Sequence, residues 1–130
     1  GRRLVPRGDL VALPGTVIRD TALRGLGVGH STYSRAAAEV LTAFTGSEFF
    51  PGGMSGFEVT ANEFLVFEEG PSVSLTLQWA KYRDASDQCS LSRIWGGIHP
   101  PADDIPGREI GEQIGVRAFE HASGYFDGSM

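Results

Sequence analysis

The 130-residue sequence has one cysteine, Cys89, and one lysine, Lys81. A single thiol closes no intrachain disulfide and supplies no cysteine zinc cluster. No apolar run approaches the ~20 residues needed to span a bilayer. The arginine-bearing start, GRRLVPRGDLVALPG, lacks the long apolar segment of a signal peptide. Lysine and arginine together number 11 against 16 acidic residues, for a net charge of −5. That balance is the opposite of the basic patch carried by general nucleic-acid binders. Neither nucleic acid nor a membrane span is therefore expected, the compartment is open, and nothing forbids a homo-oligomer.

Hydrophobic residues make up 41% of the chain, a globular composition. The length suits one domain. Eighteen glycines and seven prolines suggest short elements with frequent turns, or backbone brought close to a ligand. There are no internal repeats and no low-complexity tracts. Residues 1–27 hold five of the basic residues, Arg2, Arg3, Arg7, Arg19 and Arg24, without helical periodicity, and read as an irregular lead-in. Residues 28–130 read as the structured part.

Three helices are expected there. The first runs from about Ser31 to Phe44, capped by Ser31 or Thr32, with Tyr33, Ala37, Val40, Leu41 and Phe44 as its apolar stripe. Gly46 ends it. FEVTANEFLVFEEG reads as a β-hairpin or two short strands turning at Ala61-Asn62, and SVSLTL adds a strand or leads into the next helix. The second helix runs from about Leu75 to Ile94. Gly96-Gly97 weakens it and Pro100-Pro101 stops it. The third runs from about Gly107 to Tyr125, with Ile110, Ile114, Ala118, Ala122 and Tyr125 on one face. The fold class is mainly α: a partial helical bundle with a small β-hairpin insertion.

Two stretches can carry chemistry. In SRIWGGIHPPADD, Arg93 is a permanent planar cation suited to tetrahedral oxyanions. His99 titrates near neutral pH and can act as nucleophile or metal ligand. On an unbroken helix the six-residue step turns two side chains about 240° apart. A break at Gly96-Gly97 can bring both toward one cavity, where Asp103 can accept the other ring N–H of His99. The alternative is a surface pair of Arg93 with Asp103 or Asp104, and His99 in a loop. In GVGHSTYSR, Gly27 and Gly29 precede His30 at the start of a helix. Free N–H groups there suit an anion, with His30 as a general acid or base. The alternative is a glycine loop with an exposed histidine.

Taken together, the two stretches resemble a known superfamily. SRIWGGIHPPAD fits the signature S-R-x5-H-x3-D of the vanadium-dependent haloperoxidases and type 2 phosphatidic acid phosphatases. GHSTYSRAAAEVL resembles their upstream Ser-Gly-His signature. From about Gly29 to Phe126 the wording is most similar to the bacterial haloperoxidase-related branch. The resemblance implies a helical bundle enclosing vanadate, or phosphate as its isosteric alternative. It implies that Gly29 and Arg93 bind the oxyanion and that His99 ligates vanadium, or accepts a phosphoryl group. His30 would be the acid/base group and Asp103 would orient His99. The implied substrates are hydrogen peroxide and halide, or a phosphomonoester. Two features depart from the pattern. Val28 replaces the serine that normally precedes this glycine, and the family's earlier signature, K-x6-R-P, is absent. The chain accordingly reads as the C-terminal part of such a protein, incomplete as an enzyme. The rivals are a phosphomonoesterase with His99 as nucleophile, and an inactive fragment or interaction module that keeps the fold.

Overall fold

The computed structural model describes residues 29–63, 66 and 69–129. The lead-in over residues 1–27, Val28, Phe64, Phe67 and Glu68 lie outside the described residues. The described chain is mainly α. Helix α1 spans Gly29–Thr45, α2 spans Tyr82–Trp95 and α3 spans Asp104–Asp127, with strands β1 (Ser55–Val59) and β2 (Leu75–Trp79) between α1 and α2. Helix α1 packs against both α2 and α3.

The two strands are antiparallel, with Ser55 opposite Trp79 and Val59 opposite Leu75. The expected turn at Ala61-Asn62 is present, with Asn62 at φ 57°. Among the described residues the partner of β1 is the later LTLQW, reached through a connection in which the Asn62 N–H donates to the Pro71 carbonyl over 2.9 Å. Residues 75–79 are therefore strand, and the second helix begins at Tyr82. A capping box sets that start: the Asp84 carboxylate accepts the Lys81 backbone N–H at 3.0 Å. Alternating Leu75, Leu77 and Trp79 favour the pleated ladder over a helical turn. The Trp79 indole N–H then donates to the Gln88 side chain, joining β2 to α2.

The inner faces of α1 and α3 differ from expectation. The buried residues of α1 are Ser31, Arg35, Ala38 and Glu39. Tyr33, Leu41 and Phe44 of the expected stripe are exposed. The buried residues of α3 are Asp104, Gly107, Gly111, Gly115 and Gly124, and its Ile110, Ile114 and Tyr125 are exposed. Glycines at four-residue steps form a flat ridge on which α1 lies. A Cβ on Gly111 would stand 2.4 Å from the Thr32 carbonyl oxygen, and one on Gly115 2.5 Å from that of Ala36. The Thr32 hydroxyl donates to the Gly107 carbonyl over 3.2 Å. Backbone contact, which no hydrophobicity pattern encodes, thus orients both helices and turns their apolar faces outward.

Charge fills the space that apolar side chains leave. Arg35 reaches Asp87 at 2.5 Å, Arg83 reaches Glu39 at 2.8 Å, and Arg108 reaches Asp87 at 2.9 Å and Asp104 at 2.7 Å. The outward apolar faces leave a groove of about 670 Å³ lined by Val40, Phe44, Ala118, Phe119, Ala122 and Phe126, toward the opposite end of α1 from His30. Among the described residues no helix is long and apolar enough to cross a membrane. Because Ile110 and Ile114 are 43% and 49% exposed, Ile110→Thr and Ile114→Thr should each change the stability of this chain by about 0.5 kcal/mol or less in urea unfolding.

Candidate oxyanion site

Three chain segments meet at the start of α1. His30 lies in its first turn, Arg93 in the last turn of α2, and His99 in the connection to α3. The helix does break where the glycines predict. Gly96 ends α2, and Gly97 takes φ 69°. The Arg93 carbonyl then accepts the backbone N–H of Ile98 at 2.9 Å and of His99 at 3.2 Å. The chain folds back over its own last turn, and Arg93 and His99 both lie near enough to His30 to lower its pKa. Gly97→Ala forces a Cβ into the left-handed region, at about 1 kcal/mol of stability, and should weaken any ligand that needs both Arg93 and His99.

The His30 and His99 ring centroids lie 6.4 Å apart with the planes tilted by 52°. Partial burial, then the Arg93 guanidinium, then the His99 ring hold the His30 imidazole below its ordinary 6.5. His30 still reaches solvent, and the positive charge of Arg93 is a cause that a bound anion would offset. Arg93 is half-buried. Its Nε is buried without a hydrogen-bond partner, and it forms no ion pair among the described residues. The alternative of a surface pair with Asp103 or Asp104 is not what the structure contains. Asp104 pairs with Arg108 instead.

Gly29 is the first residue of α1, where backbone N–H groups lack intrahelical partners. The helix begins two residues before the expected cap. Ser31 therefore points inward, and its hydroxyl meets those of Ser90 and the Asp104 carboxylate. Asp103 closes the short turn Pro101–Asp103 and is half-buried. Its carboxylate makes no hydrogen bond to His99 among the described residues. Trp95, beside the site in sequence, is 70% exposed. His121 stacks edge-on with Tyr125 far along α3, at 5.1 Å between centroids.

Two imidazoles and a guanidinium with an idle donor form a cluster of donors with cationic character. Among the described residues no group of three or more His, Cys, Asp or Glu side chains converges as a cage for a bare cation would require. The unpartnered Arg93 Nε fits an oxyanion oxygen, so the donor set suits a vanadate or phosphate group.

The sign of the His30 shift predicts a pH effect. Its folded pKa lies below the unfolded value of 6.5. The unfolded chain therefore binds the proton more readily, and stability from this group is present above 6.5 and falls as pH drops through the folded value. His30→Gln should flatten that part of the pH dependence, which urea unfolding reads as pH falls below 6.5.

The described residues form a small helical bundle with an Arg–His motif at a helix break and a His at a helix start. Residues 27–128 match the family described as the VCPO second helical-bundle domain, and the chain belongs to that family. A solved structure of a bacterial vanadium-dependent chloroperoxidase, in its apo form, is similar in fold: TM-score 0.69 at 22% sequence identity over 77% of this chain. This chain spans 21% of the length of that chloroperoxidase. No curated protein matches the chain.

Serine, aspartate and arginine around Asp104 went unrecognised in the sequence. The available signal was the doubled Asp103-Asp104 with Arg108 one turn on, an i, i+4 pair that spacing predicts.

Proposed function

We propose that this chain supplies part of the oxyanion site of a vanadium-dependent haloperoxidase. The observation that carries the proposal is the buried, unpartnered Nε of Arg93 beside two imidazoles whose centroids are 6.4 Å apart. Arg93 and the Gly29 N–H would hold vanadate oxygens, and His99 would be the ligand to vanadium. Bound vanadate would activate hydrogen peroxide for oxidation of halide. His30, held below its ordinary pKa first by partial burial and then by the Arg93 guanidinium, would be a neutral base near neutral pH and would take and return a proton at its ring nitrogen. Asp103 would orient His99, a role that rests on the resemblance. The same donors fit phosphate, with His99 as nucleophile and His30 as the acid for the leaving alcohol.

An anion with two or three charges needs several cations, and Arg93 is the one placed by a motif. Each charge-assisted hydrogen bond contributes roughly 1.5–3 kcal/mol, so the two cations of the missing K-x6-R-P signature represent several tenfold steps in affinity. The chain alone should bind vanadate more weakly than micromolar and turn over little or nothing. Calorimetric titration with vanadate and phosphate tests this. Weak binding that disappears in Arg93→Ala supports the reading, and no binding at all overturns it in favour of a module without the chemistry. Micromolar binding lost in Arg93→Ala would show that this part of the site suffices. Hydrolysis of a simple phosphomonoester without vanadate-dependent halide oxidation would move the assignment to a phosphatase.

A further inference from the structure

We infer that Asp104 is a positioning residue that clamps together the three segments bearing His30, Arg93 and His99. The inference rests on the oxyanion-site reading for its functional meaning, but its geometry stands separately. Asp104 is 7% exposed at the first position of α3. Its Oδ1 accepts the Ser31 hydroxyl at 3.0 Å and also the Ser90 hydroxyl. The Ser31 and Ser90 hydroxyl oxygens also lie within hydrogen-bond distance of each other, and because each hydroxyl carries one proton, two of these three contacts are hydrogen bonds at any moment. Arg108 closes the carboxylate from the other side, Nε to Oδ1 at 3.1 Å and Nη2 to Oδ2 at 2.7 Å.

The positions of these hydroxyls give the network its consequence. Ser31 directly follows His30. Ser90 precedes Arg93 by three residues, just under one turn of α2. Asp104 follows His99 by five residues, across the short turn Pro101–Asp103. A single carboxylate therefore fixes the beginning of α1, the end of α2 and the beginning of α3 to one another. The fixed points lie within about one helical turn of the two side chains borne on α1 and α2. Hydroxyl-to-carboxylate bonds are short and directional, whereas the ion pairs of Arg83 join long side chains farther along the helices. The site is built from side chains on three elements. Its preorganisation is then set by how rigidly those elements are tied.

The test uses the intact chain and three variants. Asp104→Leu removes all acceptors at similar volume. Asp104→Asn is the milder variant, because its amide oxygen can still accept both hydroxyls, while its NH2 replaces only the acceptor of Arg108 Nη2. Glu39→Gln loosens the packing of α1 on α2 away from the site and serves as the stability control. The structural readout is the nuclear Overhauser contact between carbon-bound ring protons of His30 and His99. The functional readout is vanadate affinity by calorimetry. Asp104→Leu should lose the ring contact and bind vanadate at least tenfold more weakly. Asp104→Asn should retain the contact and most of the affinity, and Glu39→Gln should keep both. Persistence of the ring contact in Asp104→Leu, or its equal loss in Glu39→Gln, overturns the inference. If Asp104→Leu does not fold, Ser31→Ala decides, since it cuts the tie from α1 to the carboxylate that follows His99. A full-strength ring contact in Ser31→Ala then refutes the clamp. If the wild-type chain binds no vanadate, the oxyanion reading fails while the ring contact still decides the role of Asp104.

Discussion

Gly111→Ala is expected to destabilise the chain by about 3 kcal/mol or more, at the upper end of overpacking effects. The reverse would be expected of an ordinary helix position, where Ala is better than Gly by about 1 kcal/mol. The added Cβ would lie 2.4 Å from the Thr32 carbonyl oxygen and 2.8 Å from the Arg35 Cβ. Neither neighbour is the end of a flexible side chain, so relief requires α1 and α3 to separate. Separation also stretches the bond from the Thr32 hydroxyl to the Gly107 carbonyl. Gly115→Ala should behave alike, since its Cβ would meet the Ala36 carbonyl oxygen at 2.5 Å and the Glu39 Cβ at 2.8 Å. Stability of small domains is about 5–15 kcal/mol, so either substitution should remove a large fraction of it. Urea unfolding followed by circular dichroism measures both. A Gly111→Ala variant at least as stable as the wild type would show that the helices do not approach as closely as described.

Arg108→Met should cost about 3–5 kcal/mol, because it removes the cation from a buried carboxylate. Asp104 is 7% exposed and draws two of its hydrogen bonds from Arg108. Without that guanidinium its remaining partners are the neutral hydroxyls of Ser31 and Ser90. Arg108 also reaches Asp87, but Asp87 is half-exposed and keeps Arg35. The loss is therefore concentrated at Asp104. The double variant Arg108→Met/Asp104→Leu should be more stable than Arg108→Met alone, since an apolar replacement leaves no uncompensated buried charge. Denaturant midpoints of the two variants decide the matter. Equal or lower stability of the double variant would mean that Asp104 is solvated well enough to stand without Arg108.

The composition and the two motifs carried a good deal of this molecule. Mainly helical architecture, three helices, a two-stranded antiparallel insertion and the break after Arg93 follow from local rules. Glycine at positions 96 and 97 and proline at 100 and 101 act on the backbone within a few residues, and such effects are legible without a fold. The positions of His30, Arg93 and His99 were legible for the same reason, as spacing around a helix start and a helix break. Their ordered motifs also carried the resemblance to the family to which the chain belongs.

Tertiary structure alone decided which faces of the helices are inside. The apolar stripes Tyr33–Leu41–Phe44 and Ile110–Ile114 point outward because glycines at 107, 111 and 115 let α1 and α3 meet through backbone. A hydrophobic period registers side chains, and glycine has none to register. Strand pairing across the connection from Val59 to Leu75 was likewise undecided by sequence, since register over such a separation depends on where both ends are held. The clamp at Asp104 joins residues 31, 90, 104 and 108. No local rule selects that carboxylate over its neighbour Asp103. The choice is made when three helix ends converge and only one of the two side chains faces inward.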